Sequence, residues 1–388
     1  MCYAAALTSK ARGNVMIGKD ARDRQRFFAS LDRAKGILIV LIVFAHNTLI
    51  TQAWPESRAF LYNWHVFAFL LLAMVMPFNS EKPGFLTTRF VRYYVPFVAF
   101  FTVTWLATLV LDGNFSAFGE RLKEWALAVL IGSAALLDEA SGARLFWFLP
   151  ALMGLVLIRW AIGRAPAAVR QPLLIVVAIA GFAGAGLIPD EIKPWIPFGL
   201  PIALYALGPG LVFAWLVDRL LRASHRRSRL WLLVLVCGAL CGIVYGFTQV
   251  QGTALVLASF DFYDVRSPAA LIAHALLALS AATTVVLFAA SLGRVRWLEW
   301  LGQASLLIYL VHQIVFVGLR FAARRLDAGM TPETMAIPGA ATFVATMVIS
   351  AGIAFVIQSV PALRKLLAPR DWAEWSGTLR SFGRRKGS

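Results

Sequence analysis

What constrains this chain most is a succession of apolar runs, each about 20 residues long and bounded by charges, the length at which an α-helix crosses the hydrocarbon core of a bilayer. Ten such runs stand at approximately 36–53, 60–78, 93–111, 145–162, 172–189, 197–217, 230–249, 269–291, 301–319 and 336–360. Of the 388 residues 60% are hydrophobic and 15% charged, against an apolar share of roughly 45–50% in soluble domains. Lipid must be the solvent for much of that surface. The expected fold is therefore all-α, a polytopic transmembrane helical bundle of about ten spans. The expected organisation is an N-terminal tail over 1–29, one membrane domain over 30–361 and a basic C-terminal tail over 362–388. No soluble domain, internal repeat or low-complexity region is visible.

A net charge of +17 would suit nucleic acid if the basic residues clustered on one surface. They lie instead between the apolar runs, so the expected surroundings are membrane lipid and no nucleic acid. With ten spans and a cytoplasmic start, 28 of the 37 Lys and Arg residues fall on the inner side and 9 on the outer, as the positive-inside rule requires. The expected location is the cell inner membrane, multi-pass, with both termini cytoplasmic. Residues 1–27 carry Lys10, Arg12, Lys19, Arg22, Arg24 and Arg26 without a signal-type apolar core, and read as a cytoplasmic tail. The stretch from Phe118 to Leu137 is crowded at its start by Glu120, Arg121, Lys123 and Glu124. It reads as an interfacial or re-entrant helix, because an eleventh span there would put 17 of the basic residues that follow outside and 5 inside.

Three cysteines, two of them (Cys237 and Cys241) one helical turn apart inside an apolar run, suggest packing and no disulfide framework. No zinc-type spacing with histidine appears, so no metal is expected. The sixth run contains Pro197, Pro201 and Gly208-Pro209-Gly210, which leaves two readings: a backbone broken within the bilayer, tolerated only where protein or a cavity satisfies it, or a simple proline kink.

Ionisable groups inside a span are costly and each is a functional candidate. His46 lies eleven residues beyond Lys35. At 100° per residue the two side chains come within 20° of one helix face, about 16 Å apart along the axis. One end of that face is cationic and the other carries an imidazole near mid-membrane, as a proton acceptor or as a hydrogen-bonding group between helices. Both readings stand on position alone.

The run Ser30-Leu31-Asp32-Arg33-Ala34-Lys35-Gly36-Ile37, continued by Val43-Phe44-Ala45-His46, resembles the opening signature of the acyltransferase-3 family of membrane acyltransferases, in which an Arg or Lys precedes a histidine by eleven positions. Trp64-His65-Val66-Phe67-Ala68-Phe69 is similar to the second-helix His-x-x-x-Phe element of that family. Arg89-Phe90-Val91-Arg92 followed by Pro96 is similar to its R-x-x-R loop, and Leu145-Phe146-Trp147-Phe148-Leu149 to its Trp-Phe-Leu helix start. Leu301-Gly302-Gln303-Ala304-Ser305-Leu306-Leu307-Ile308-Tyr309-Leu310-Val311-His312 resembles its penultimate-helix signature. The five elements fall in order over nearly the whole membrane domain, with the sugar O-acetylase branch, of the fucose-4-O-acetylase type, as the nearest flavour. One departure is Leu72-Ala73-Met74, where the family usually carries Ser-Gly.

The resemblance implies an O-acyltransferase that moves an acyl group, commonly acetyl from acetyl-CoA, to a hydroxyl of an envelope saccharide or lipid-linked glycan. The acyl-CoA is a co-substrate and no cofactor is bound. His46 is the implied general base, since a sugar hydroxyl attacks a thioester well only as its proton is removed. Lys35, Arg89 and Arg92 would hold the phosphates of the CoA, the alternative being ordinary positive-inside charge. His65 and His312 are candidates for a second catalytic or acceptor-orienting group; for His65 a polar interfacial residue is the other reading. Tyr309, Ser305 and Gln313 read as inter-helix hydrogen-bonding groups or as cavity lining, and Trp147 as an interfacial anchor. His225 and His274, placed in or next to loops, receive no role, and Asp261, Tyr263 and Asp264 mark an outer loop that could meet a polar acceptor. A separate outer-face partner that accepts the acyl group is left open. The rival classes are a transporter or flippase of a glycan or lipid-linked substrate, and a non-catalytic polymer-export subunit.

Overall fold

A computed structural model describes residues 17–112, 117–184, 187–189, 191–223, 226–250, 268–323 and 331–376. Among them every regular element is helical. The long helix α1 (Ile17–Ala45) is followed by two short ones, α2 (Thr48–Ala53) and α3 (Pro55–Tyr62), and then by α4 (His65–Val75) and α5 (Phe85–Asp112). Two further short helices, α6 (Phe118–Ile131) and α7 (Ala134–Ser141), lead through a 3₁₀ turn at Arg144–Trp147 into α8 (Phe148–Gly163) and α9 (Ala167–Gly184). The second half consists of α10 (Leu200–Ala223), α11 (Arg227–Val250), α12 (Pro268–Ser291), α13 (Arg296–Ala323), α14 (Pro332–Ser359) and the short α15 (Pro361–Leu367). Among the described residues eight helical segments are long and apolar enough to cross a membrane, and the protein is a polytopic all-α membrane protein.

The expected span 36–53 is not among the eight, and the reason lies in its residues. It is cut at His46-Asn47, where α1 ends just after Asp32, Arg33 and Lys35, whereas α13 runs unbroken through the expected span 301–319 with Gln303, Ser305, His312 and Gln313 among its apolar residues. Helices α1 and α13 pack most extensively on each other at the centre of the bundle, with α12 and α4 alongside. Helices whose surface is apolar all round stand outside them. Only 11% of the apolar stretch of α9 and 17% of that of α11 is buried, against 67% for α12, so the exposed Ile175, Val176, Ile179, Leu232, Leu235 and Val236 must meet lipid.

Close approach of α1 and α13 requires glycine. A Cβ on Gly302 would collide with the Asp32 carbonyl, and one on Gly36 with the Leu298 carbonyl, the small-residue packing that lets membrane helices touch through their backbones. The contact is locked at one end by Arg33, 5% exposed. Its guanidinium donates to the Ala289 carbonyl (2.9 Å), to Glu299 (2.6 Å) and to the Ser30 hydroxyl (2.9 Å), tying α1 to α12 and α13 with every donor face used.

Two expected spans are broken helices. Asn47 ends α1 and begins α2: its Oδ1 accepts from the Leu49 and Ile50 amides, and its Nδ2 donates to the Gly339 carbonyl (3.0 Å) and to Thr342 (2.9 Å). The same side chain therefore caps a helix and anchors the break to α14. The expected span 60–78 is likewise divided at Asn63-Trp64, between α3 and α4. In the sixth run, by contrast, α10 continues unbroken from Leu200 through Pro209, which argues against a break at Gly208-Pro209-Gly210. The irregular backbone precedes the helix, at Phe198 (φ 57°) and Gly199 (φ 52°). The stretch 118–137 forms α6 and α7 with a left-handed Gly132 between them. At 14 residues α6 reaches about 21 Å, short of the roughly 30 Å hydrocarbon thickness.

Candidate functional site

The breaks in the first two spans have a consequence: they bring three histidines together. His46 closes α1, His65 opens α4 and His312 lies midway along α13, and all three are buried. The His46 ring centroid is 5.5 Å from that of His65 and 5.6 Å from that of His312. Tyr62, the last residue of α3, completes the group at 5.2 Å from His46 and 5.4 Å from His65. The Arg58 guanidinium covers the outer face of the Tyr62 ring at 5.1 Å. His65 is 1% exposed, which corrects its reading as an interfacial residue.

Each imidazole is held in the same way. His46 Nδ1 donates to the Ile42 carbonyl at 2.7 Å, His65 Nδ1 to the Leu61 carbonyl, and His312 Nδ1 to the Tyr309 carbonyl at 2.5 Å. A carbonyl oxygen only accepts, so the proton of each neutral ring is on Nδ1 and Nε2 carries the free lone pair. Nε2 of His312 accepts from the Gln313 amide at 3.1 Å. Nε2 of His46 and of His65 are buried with no partner. Buried polar atoms are nearly always paired, and two unpaired acceptors side by side suit an incoming hydroxyl donor. Among the described residues no group of three or more His, Cys, Asp or Glu side chains is arranged to hold a metal ion.

Beside this cluster lies a cavity of about 440 Å³. Most of its wall is made of three helix faces. From α8 come Phe148, Leu152, Leu155, Val156 and Arg159; from α4 come Phe69, Leu72, Ala73 and, just beyond the helix, Met76; from α13 come Gly302, Gln303, Ser305, Leu306 and Tyr309. These recur at helical spacing, and the eleven steps from Phe148 to Arg159 make the α8 lining about 16 Å long. One end is cationic. Lys35, Arg89, Arg92 and Arg159 all line it, so the three cations singled out in the sequence are brought together with a fourth.

The cations are held differently. Lys35 pairs with Asp32 at 2.5 Å, and Asp32 also accepts from Gln303 at 3.2 Å. Arg89 donates to the Tyr93 hydroxyl at 3.2 Å and lies over the Phe85 ring. Arg159 donates to the Ala73 carbonyl at 3.0 Å, with its guanidinium 4.2 Å from the centre of the Phe78 ring. Four cations gathered at the mouth, Lys35 among them paired with Asp32, would attract a polyanion. The opposite end of the cavity is aromatic: Phe148 meets Tyr309 at 5.4 Å and Phe69 at 6.0 Å. The histidines do not line the cavity. They lie one side chain beyond it, the Tyr309 ring being 5.6 Å from that of His312.

Tyr309 and Ser305 are thus cavity lining, and Tyr309 is an inter-helix bond as well, its hydroxyl donating to the Leu145 carbonyl. Trp147, expected as an interfacial anchor, is 4% exposed in the core. His274, expected near a loop, is fully buried in α12. Its Nδ1 lies 2.7 Å from the Tyr205 hydroxyl, which donates to the Leu271 carbonyl at 3.0 Å, a clamp between α10 and α12 away from the site. His225, Asp261, Tyr263 and Asp264 lie outside the described residues. The departure at Leu72-Ala73 falls on the cavity wall. Sequence reasoning passed over Arg159 and Tyr62. Arg159 had the signal used for His46, a lone charge well inside an apolar run, but was counted with the following loop. For Tyr62, aromatic residues being common near membrane surfaces, there was no signal.

Compared with known protein families, the chain matches the Acyl_transf_3 model, described as an acyltransferase domain, over residues 28–358. No curated protein and no solved structure matches it.

Proposed function

The chain belongs to the acyltransferase-3 family, and from that premise we propose that this membrane acyltransferase moves an acyl group, acetyl in the first instance, from acyl-CoA to a hydroxyl of a cell-envelope saccharide. The observation that carries the reading is the alignment of a cationic mouth, a channel whose α8 lining is about 16 Å long and a histidine cluster with two unpaired Nε2 atoms. A CoA nucleotide carries its phosphates at one end and its thioester at the other, joined by an extended arm. Lys35, Arg89, Arg92 and Arg159 hold the phosphates, the arm follows the α8 face, and the thioester lies at the aromatic end. The donor is cytosolic, so this end of the bundle faces the cytoplasm, in an inner membrane with both termini on that side.

His46 acts as the general base because it alone is in ring contact with both other histidines and with Tyr62. Its Nε2 takes the acceptor's hydroxyl proton as that oxygen bonds to the thioester carbon. The carbon–sulfur bond then breaks, and the CoA thiolate recovers the proton. The Ile42 carbonyl, already bonded to Nδ1–H, steadies the imidazolium formed in between. His65 and His312 orient the acceptor. An acceptor of the fucose-4-O-acetylase kind, a sugar bearing a free secondary hydroxyl, enters on the side of α3 and Arg58, away from the cationic mouth.

Mass spectrometry of envelope glycans from a deletion strain tests this. Loss of one O-acyl increment, restored by the wild-type gene and not by the His46→Ala gene, is expected. An unchanged glycan with an accumulating lipid-linked intermediate would make the protein a flippase instead.

A further inference from the structure

The donor cavity and the histidine cluster are adjacent, and none of the three imidazoles lines the cavity. The cavity ends at Phe69, Phe148 and Tyr309, and the three imidazoles lie behind that wall. Tyr309 touches both sides. Its ring packs on Phe148 at 5.4 Å and on His312 at 5.6 Å, and its backbone carbonyl holds His312 Nδ1. Its hydroxyl donates to the carbonyl of Leu145, in the 3₁₀ turn that opens α8. The wall is therefore a side chain of α13 latched to the start of α8. For an attacking oxygen to share a proton with His46 Nε2 and also reach the thioester carbon, both must lie within about 3 Å of it. While the ring is latched it stands between Phe148, at the end of the cavity, and His312.

We propose that Tyr309 is a positioning residue: latched to Leu145, it keeps the donor thioester apart from the histidines, and it swings aside only when an acceptor occupies the far side. This rests on the acyl-CoA reading above. The device has a chemical purpose. A thioester exposed to an unoccupied general base would lose its acyl group to water, whose oxygen would bond to the acyl carbon as the carbon–sulfur bond broke, giving a carboxylic acid and free CoA. A water-excluding wall suppresses that side reaction.

The test uses the full-length protein in lipid nanodiscs with acetyl-CoA and no acceptor, following free CoA chromatographically. CoA binding is measured on each variant by calorimetry. Tyr309→Ala should raise acceptor-independent CoA release on the order of tenfold, since the wall is then open. Tyr309→Phe, which keeps the ring and loses the latch, should show less than a third of that increase. The double variant His46→Ala with Tyr309→Ala should fall back to the wild-type rate. A Tyr309→Ala protein that binds CoA like wild type yet releases no more of it would overturn the wall. Release persisting in the double variant would show that the wall does not shield the thioester from His46. Should Tyr309→Ala fail to fold, Phe148→Ala removes the neighbouring part of the same wall and is read in the same way. If wild type itself binds no CoA, the donor reading falls and this inference with it.

Discussion

The His46 ring stands 5.6 Å from that of His312 because the helices bearing them touch through Gly36 and Gly302, with no side chain between their backbones. Widening that contact should separate the rings. Gly302→Leu is expected to lower Tm and to abolish acyl transfer, since overpacking a tight contact costs roughly 1–3 kcal/mol or more. Thermal unfolding in detergent, with transfer assayed below the transition, checks both. Full activity at unchanged Tm would mean that the contact tolerates a side chain.

His46→Ala should reduce acyl transfer on the order of 10²–10⁴-fold, the range for removal of a general base, without loss of insertion. The Ile42 carbonyl keeps its bond from the His46 amide, so the end of α1 survives the change. Purified variant turning over at the parental rate would remove His46 from the chemistry.

The four cations should act on binding. Lys35→Ala, Arg92→Ala and Arg159→Ala are each expected to raise KM for acyl-CoA several-fold with kcat little changed, because phosphate attraction is felt alike in ground and transition states. Lys35→Arg should be tolerated, charge mattering more than shape at that position. Arg159→Lys should recover less, since a lysine cannot both stack on Phe78 and donate sideways to the Ala73 carbonyl. Steady-state kinetics at two salt concentrations would separate these outcomes, the KM effects shrinking as salt rises.

Insertion of one alanine between Ile39 and Val40 should collapse activity although every functional residue remains. It turns His46 by about 100° and adds about 1.5 Å relative to Lys35, and it drags Asn47 from Gly339 and Thr342. Parental turnover by a normally inserted mutant would show that the shared face of α1 is irrelevant.

The orientation proposed for the donor has its own check. A single cysteine placed between Arg222 and Arg229 should be protected from an impermeant thiol reagent in intact cells and react after permeabilisation. Labelling in intact cells would reverse the side from which CoA is taken.

What the residues alone determine here follows from local physics. Apolar length gives the expected spans, the placement of Lys and Arg gives an expected orientation, and the same placement argues against an eleventh span over 118–137. Helical periodicity relates Lys35 to His46, a relation that holds because the His46 amide still bonds to the Ile42 carbonyl. Polar groups at mid-span made His46 and His312 candidates before any geometry was known. What the tertiary structure decided is everything that depends on contacts between distant segments. The break after His46 exists because Asn47 finds its partners on α14, and the break at Asn63-Trp64 carries His65 from an expected surface into the cluster. Arg159 joins Lys35, Arg89 and Arg92 only because α8 crosses α4 and α5 at that end. Tyr309 becomes a wall only because its hydroxyl reaches Leu145. A one-dimensional pattern gives the rotation of a side chain about its own helix, but its neighbours depend on how helices cross, and here glycine and asparagine positions set those crossings.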